Sequence, residues 1–327
     1  MKDILAKIVT GNKLSGQDIS SVINAIAGNS FSHAQLAGIL CGMQARGIAP
    51  EEAAHFASII MEKAVTIDLP GAIDVCGTGG DKSGTFNIST AAMFVIAGAG
   101  VKVAKHGNRA VSSSSGSFDV IDELGIGKCA ENPKDSFSKA GIALLFAPSY
   151  HPIMKNVGPL RKELGVRTIF NMLGPLMNPA RVKRQVVGVF DNEAVDIVAN
   201  ALSILGTERS MVVHGDGLDE IAVSGISKVA EIEKGKISYS DFDPRKYGIQ
   251  FSQKKNLLVS SAKESAEVIV SILNGKASPC SDIVIINSAA ALKIAGKVKS
   301  IEDGISLARQ SISSGRAKKV LEEMRKL

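Results

Sequence analysis

Residues 74–90 read D-V-C-G-T-G-G-D-K-S-G-T-F-N-I-S-T: a short apolar run breaks into a glycine- and hydroxyl-rich loop, and a helix opens at Ile88. A strand, a permissive loop and a helix N-terminus in that order commit this part of the chain to an α/β layer, because parallel strands need helical crossovers. Gly77, Gly79 and Gly80 can take φ > 0 and let backbone N–H groups approach an anion, and the helix behind them adds about half a positive charge. The loop reads as a cradle for a phosphate, with a plain glycine turn between strand and helix as the alternative.

Two further segments have the same design. Lys105-His106-Gly107-Asn108-Arg109-Ala110-Val111, followed by Ser112 to Ser115, Gly116 and Ser117, leaves a short apolar strand at Val101–Ala104. His214-Gly215-Asp216-Gly217-Leu218-Asp219-Glu220 follows the apolar run Met211–Val213 and ends in adjacent carboxylates, the ligand type of hard cations. Apolar runs at Ile73–Cys76, Val101–Ala104, Ile142–Ala147, Gln185–Phe190 and Met211–Val213 alternate with helical segments, which predicts a parallel sheet covered on both faces. Ligands in such sheets bind at the carboxyl ends of the strands, where all three loops fall.

The first 69 residues carry only helical patterns. Ser15–Asp18 and Ser32–Gln35 resemble capping boxes, Gly47 closes a helix and Pro50 can start another. Ala37, Gly38, Gly42, Ala45, Ala53, Ala54 and Ala57 call for close helix packing, within this unit or against a second subunit. His151–Pro179 differs in texture: Gly158-Pro159, Gly174-Pro175 and Asn178-Pro179 should interrupt its helices, making it a hinge or crossover. Residues 228–239 read as an antiparallel hairpin, and Ser261–Glu264 and Ser300–Asp303 as helix starts near the C-terminus.

Composition excludes more than it selects. No run reaches the roughly 18 apolar residues of a membrane span, and no signal peptide is evident, so the cytoplasm is the expected location. Cys41, Cys76, Cys129 and Cys280 are scattered singly and read as small buried hydrophobes; Cys76, beside the glycine loop, has no recognisable base. A net charge of +6 suits an anionic ligand. With aromatics at 4% and no tryptophan, a base-stacking surface for nucleic acid is not expected.

G-T-G-G-D at 77–81, T-F-N-I-S-T at 85–90, K-H-G-N-R at 105–109, the long R-K-E-L-G-V-R-T-I-F-N-M-L-G-P-L-M-N-P at 161–179 and D-E at 219–220 together resemble the anthranilate phosphoribosyltransferases of tryptophan biosynthesis. The resemblance implies a small all-helical N-terminal domain (1–69, with part of 150–180 packing on it) and a large α/β domain (70–327) with a mainly parallel central sheet of the nucleoside phosphorylase/phosphoribosyltransferase type. It further implies a cleft active site and a homodimer. The implied reaction is displacement at the anomeric carbon of phosphoribosyl pyrophosphate by the amine of anthranilate, with Mg2+ as cofactor. An aniline is a weak nucleophile, so departure of pyrophosphate must be assisted electrostatically.

Residue by residue, the resemblance assigns Gly77, Gly79, Gly80, Asp81, Thr85, Asn87, Ile88, Ser89 and Thr90 to phosphoribosyl pyrophosphate. Lys105, His106, Gly107, Asn108, Arg109, Ala110, Val111, Ser112, Ser113 and Ser117 join them. Gly77, Asn108 and Arg161 would hold anthranilate, and Ser89, Asp219 and Glu220 the metal. Lys105 would supply charge stabilisation. His106 is a weak candidate base, Ser117 could instead cap the following helix, and Arg167 reads as structural. The competing readings are a pyrimidine nucleoside phosphorylase and a fold relative that has lost transferase activity and binds nucleic acid.

Overall fold

The computed structural model describes residues 1–81, 83–110 and 115–327. Four helices come first: α1 (Lys2–Val9), α2 (Gly16–Ala27), α3 (His33–Arg46) and α4 (Pro50–Glu62). Ser15 and Asp18 form the expected capping box on α2. Ser32 precedes α3 without accepting a side-chain bond; the entry to that helix is set by Phe31 stacked on His33 at 5.6 Å. The small residues serve packing within the chain, since a Cβ on Gly38 or Gly42 would run into Leu5 or Ile8 of α1. Glu52, 1% exposed, accepts from the N–H groups of Leu14 and Ala49 and from the Arg46 fork at 2.7 and 2.8 Å, which closes the bundle with one buried carboxylate.

Strands and helices then alternate: β1 (Asp74–Gly77), α5 (Ile88–Gly98), β2 (Val103–Gly107), α6 (Ser117–Glu123), α7 (Pro133–Ala140) and β3 (Ile142–Phe146). The middle segment holds α8 (Ala147–Tyr150), α9 (Met154–Leu164) and α10 (Phe170–Leu173). After it come β4 (Arg184–Gly188), α11 (Asn192–Ile204), β5 (Arg209–Gly215) and the hairpin β6 (Ser227–Glu233) and β7 (Lys236–Phe242). Helices α12 (Ala262–Leu273), α13 (Pro279–Ile294), α14 (Ile301–Ser313) and α15 (Arg316–Met324) end the chain, with Ser261 and Ser300 as the expected caps of α12 and α14.

Strand order is β1-β4-β5-β6-β7 in one sheet and β2-β3 in a second, joined by a single parallel bridge between Ile73 and Val103. Pairings β1–β4, β4–β5 and β2–β3 are parallel, and only β6 and β7 are antiparallel. Alternate side chains enter opposite cores, as the pleat requires. Val75, Val186, Met211 and Val213 join the core built from α5 and α12 to α15, whereas Val187, Val212, Ala230 and Ile232 join the helical bundle, α9 and α11. Ile153, Val157, Leu160, Phe170 and Leu173 of the middle segment lie in that second core, with Phe170 edge-on to Phe56 of α4 at 6.2 Å.

Two expectations need correcting. Gly158-Pro159 does not interrupt a helix, because α9 runs through it. A missing N–H costs one intrahelical bond, and the glycine before it carries no Cβ for the proline ring to meet. Lys105, His106 and Gly107 are strand, not loop, paired with Leu144, Leu145 and Phe146 of β3. Of the cysteines, Cys76 and Cys129 are buried and Cys41 and Cys280 only partly so.

His106 and His151 meet in this interior at 5.3 Å between ring centroids, 7% and 2% exposed. His151 Nε2 bonds to the Met177 carbonyl at 2.9 Å, while His106 Nε2 and His151 Nδ1 have no partner. Burial, then the neighbouring His151, pulls the His106 pKa down to about 3; burial also lowers that of His151.

Replacing Glu52 by Ala should cost about 3–5 kcal/mol, because the buried Leu14 and Ala49 N–H groups and the partly buried Arg46 guanidinium lose their shared acceptor; urea unfolding of the two proteins measures it. Both histidines are neutral in the native state and more basic when unfolded, so their stabilisation is complete above about pH 6.5 and is lost as pH falls toward 3. The acid limb of a stability–pH curve should be shallower for His106→Asn than for the parent, and coincident limbs would exclude this pair as its source.

Candidate functional site

Because β1, β2 and β5 run in one direction, their carboxyl ends share an edge of the sheet. Gly79 and Gly80 take φ of 65° and 75° as expected, but Gly77 does not and ends β1 as ordinary strand. It is glycine for another reason: a Cβ there would collide with the Asp219 carboxylate. Gly188, at the end of the intervening strand β4, lacks a side chain because the Asp219 backbone lies against it. The turn after β5 therefore crosses over β4 to reach the glycine loop, where the Gly79 N–H donates to Asp219 Oδ2 at 2.7 Å.

Lys105 is 1% exposed, and its ammonium donates to the Val75 carbonyl at 2.6 Å and to Ser89 Oγ at 2.8 Å. The Glu220 carboxylate faces the Ser89 N–H at the start of α5, so β1, α5, β2 and the acidic turn meet at one place. Burial, with Asp81 close by, raises Asp219 to about 7. Burial and Asp219 push Glu220 well above the usual carboxylate range, and Lys105 only partly offsets this. Negative charge is thus in excess at this point, which suits a divalent cation. No cluster of three His, Cys, Asp or Glu side chains forms a metal cage among the described residues. A cation held here would take two adjacent carboxylates and the hydroxyl of Ser89, and complete its shell from ligand oxygens, as magnesium commonly does.

The remaining sites divide. Asp81 accepts from the Ser83 N–H, and Thr85 shares a hydroxyl contact with Ser83 at 3.1 Å on the loop itself. Asn87 precedes α5 and its Oδ1 accepts from Thr90 Oγ1; Ile88 and Thr90 are buried, so their side chains face the core and only backbone can face a ligand. Gly107 lies against Ser117, whose hydroxyl donates to the Asn108 carbonyl; Gly116, not Ser117, caps α6. Arg109 is turned away, its guanidinium paired with Asp119 and Asp122 on α6. Asp119 also accepts from the N–H groups of Ala110 and Gly116, closing the base of that loop. Val111, Ser112 and Ser113 lie outside the described residues.

His106 is a poor base with a pKa near 3 and serves as packing. Arg161, on α9, stands over the Phe170 ring at 5.5 Å, and its pKa is lowered by burial alone. Arg167 stacks on Phe190 at 4.4 Å and ties the middle segment to the end of β4, as expected of a structural residue. Sequence reading missed Gly188, Asp119, Asp74 and Asn178. An isolated glycine in the strand pattern V-V-G-V-F signals close backbone approach and could have exposed the first.

Residues 69–318 match the family model described as glycosyl transferase family, a/b domain, and residues 2–64 match the helical bundle domain of the same family. Anthranilate phosphoribosyltransferase of Thermoanaerobacter sp. (strain X514) is 45% identical over 329 residues, covering 99% of this chain and 97% of the relative. The crystal structure of the Thermus thermophilus enzyme superposes with a TM-score of 0.92 at 37% identity, covering 99% and 98% of the two chains. That of the Saccharomyces cerevisiae enzyme in complex with PRPP and Mg superposes at 0.88 and 27% identity, covering 99% and 96%. Similarity of this extent, in sequence and in fold and over nearly the whole length, means that the chain belongs to the anthranilate phosphoribosyltransferase family.

Proposed function

We propose that the edge of the sheet described above binds 5-phosphoribosyl 1-pyrophosphate and transfers its phosphoribosyl group to the amine of anthranilate. The products are N-(5-phosphoribosyl)anthranilate and pyrophosphate, a step of tryptophan biosynthesis. The observation that carries this reading is the meeting of the glycine loop, the buried ammonium of Lys105 and the surplus carboxylates Asp219 and Glu220. A nucleoside phosphorylase acting on inorganic phosphate gives no reason for such an excess of negative charge, whereas a metal-chelated diphosphate does.

The chain's own contribution is positioning and charge. Gly80 and the first turn of α5 would present backbone N–H groups to phosphate oxygens while the Gly79 N–H holds Asp219, and Lys105 adds its ammonium beside Ser89. Asp219, Glu220 and Ser89 would hold Mg2+, which when bound neutralises charge on the departing pyrophosphate. Arg161 is a half-buried guanidinium whose pKa no nearby carboxylate props up, so a carboxylate ligand would supply the missing partner. Anthranilate carries such a group, and Asn108, exposed at the end of β2, would share its recognition. An anilinium formed on attack is acidic enough to need no strong base, which agrees with a neutral, buried His106.

The rest of the proposal is a two-domain division at residues 69–70, a homodimer, and a cytoplasmic setting. Among the described residues no helix is long and apolar enough to cross a membrane. Sedimentation at micromolar concentration reads the dimer directly.

The decisive assay follows the fluorescence of anthranilate mixed with protein, phosphoribosyl pyrophosphate and Mg2+; a steady signal would refute the activity. Asp219→Asn with Glu220→Gln should lower magnesium-dependent turnover about 100-fold or more. The melting temperature should hold or rise, since two costly buried charges are removed. Unaltered magnesium dependence would take the pair out of the site. Arg161→Ala should raise KM for anthranilate by about 10- to 100-fold while KM for phosphoribosyl pyrophosphate stays within about 3-fold; the reverse pattern would assign the arginine to the donor.

A further inference from the structure

The ladder between β1 and β2 stops almost as soon as it starts. Ile73 exchanges bonds with Lys102 and Ala104, and beyond that point no backbone pair joins the two strands among the described residues. Two side chains take over. Lys105 of β2 reaches across to the Val75 carbonyl of β1, and Asn178, 4% exposed, donates from one amide nitrogen to Asp74 Oδ2 at 2.8 Å and to the Ala104 carbonyl at 2.9 Å. Its amide oxygen accepts from the Ala180 N–H at 2.8 Å, so every polar atom of Asn178 is engaged and the side chain has one orientation.

Asp74 is wholly buried; beside the Asn178 amide, the His106 N–H and the Cys76 thiol face its carboxyl, and Oδ1 makes no close hydrogen bond. The Lys105 ammonium donates to two neutral acceptors and to no carboxylate among the described residues, although a buried ammonium needs a counter-charge. Two carboxylates act on it electrostatically without bonding to it, Glu220 and Asp74. Glu220 belongs to the surplus that a cation and substrate would claim, which leaves Asp74 as the permanent counter-charge.

We propose that Asp74 and Asn178 are positioning residues for the phosphate lysine: Asn178 fixes Asp74, and Asp74 holds the Lys105 ammonium at the carboxyl end of the sheet. This rests on the reading that Lys105 serves the diphosphate. Asn178 also ends the middle segment that carries Arg161, so one amide ties the element bearing the acceptor arginine to the strand bearing the donor lysine.

The test titrates inorganic pyrophosphate, with Mg2+, into the parent protein and into Lys105→Met, Asp74→Asn, Asn178→Ala and the Asp74→Asn/Lys105→Met double variant by calorimetry, with kinetics on both substrates alongside. Asp74→Asn and Asn178→Ala should each weaken pyrophosphate binding about 10-fold or more; KM for anthranilate should stay within about 2-fold in Asp74→Asn and rise in Asn178→Ala, whose amide also ties down the segment carrying Arg161. Asp74→Asn should add nothing in the Lys105→Met background. If Asp74→Asn alone does not fold, the double variant, which removes both charges, should fold and bind as Lys105→Met does. Parental affinity in a folded Asp74→Asn, an equal further loss in the Lys105→Met background, or a double variant that fails where Lys105→Met folds would each overturn the proposal. Parental affinity in Lys105→Met would instead remove the reading beneath it, whereas a loss there with none in Asp74→Asn removes the inference alone.

Discussion

Asp219 folded against two glycines is the contact on which the site depends. The turn after β5 can reach the glycine loop only by passing over the end of β4, and it can pass only because Gly188 and Gly77 carry no side chain. Given that approach, the carboxylate accepts from the Gly79 N–H and the next residue, Glu220, comes to rest at the first turn of α5. A loop normally thought of as a phosphate cradle thus begins as a seat for two carboxylates. Their mutual repulsion and burial leave negative charge that the polypeptide itself does not neutralise.

Below this arrangement the fold supplies direction more than shape. Parallel pairing sends β1, β2 and β5 to one edge, and the alternation of side chains divides the interior into two cores. The donor residues stand where the sheet's first core ends, while Arg161 stands on a helix belonging to the second, together with the N-terminal bundle.

Much of this was legible in the sequence because it rests on local rules. Strand-loop-helix punctuation located the glycine loop after β1, two runs around Lys234-Gly235 marked the β6–β7 hairpin, and Ser15, Ser261 and Ser300 announced their helices. What escaped depends on contacts between distant residues. Gly77 reads from its neighbours as a residue needing a positive φ, yet its constraint comes from a residue 142 positions on, visible only after folding. Lys105 and His106 read as loop because polar residues usually end a strand, but here both are buried by β3 and the middle segment. Asp74 and Asn178 gave no signal, since a carboxylate and an amide paired across 104 residues follow no periodicity. The ligand assignments themselves came from the resemblance to a family, not from residue pattern.

The glycines beneath Asp219 bear on how such an enzyme can change. There the Asp219 main chain lies against Gly188 and its carboxylate against Gly77, and no choice of side chain at 77 or 188 can retune the fit gradually. Arg161, proposed above for the acceptor, stands on a helix whose neighbouring positions Gly158 and Lys162 are exposed. A lineage drifting toward another aromatic amine could therefore alter one half of its chemistry by small steps while the other half stays frozen.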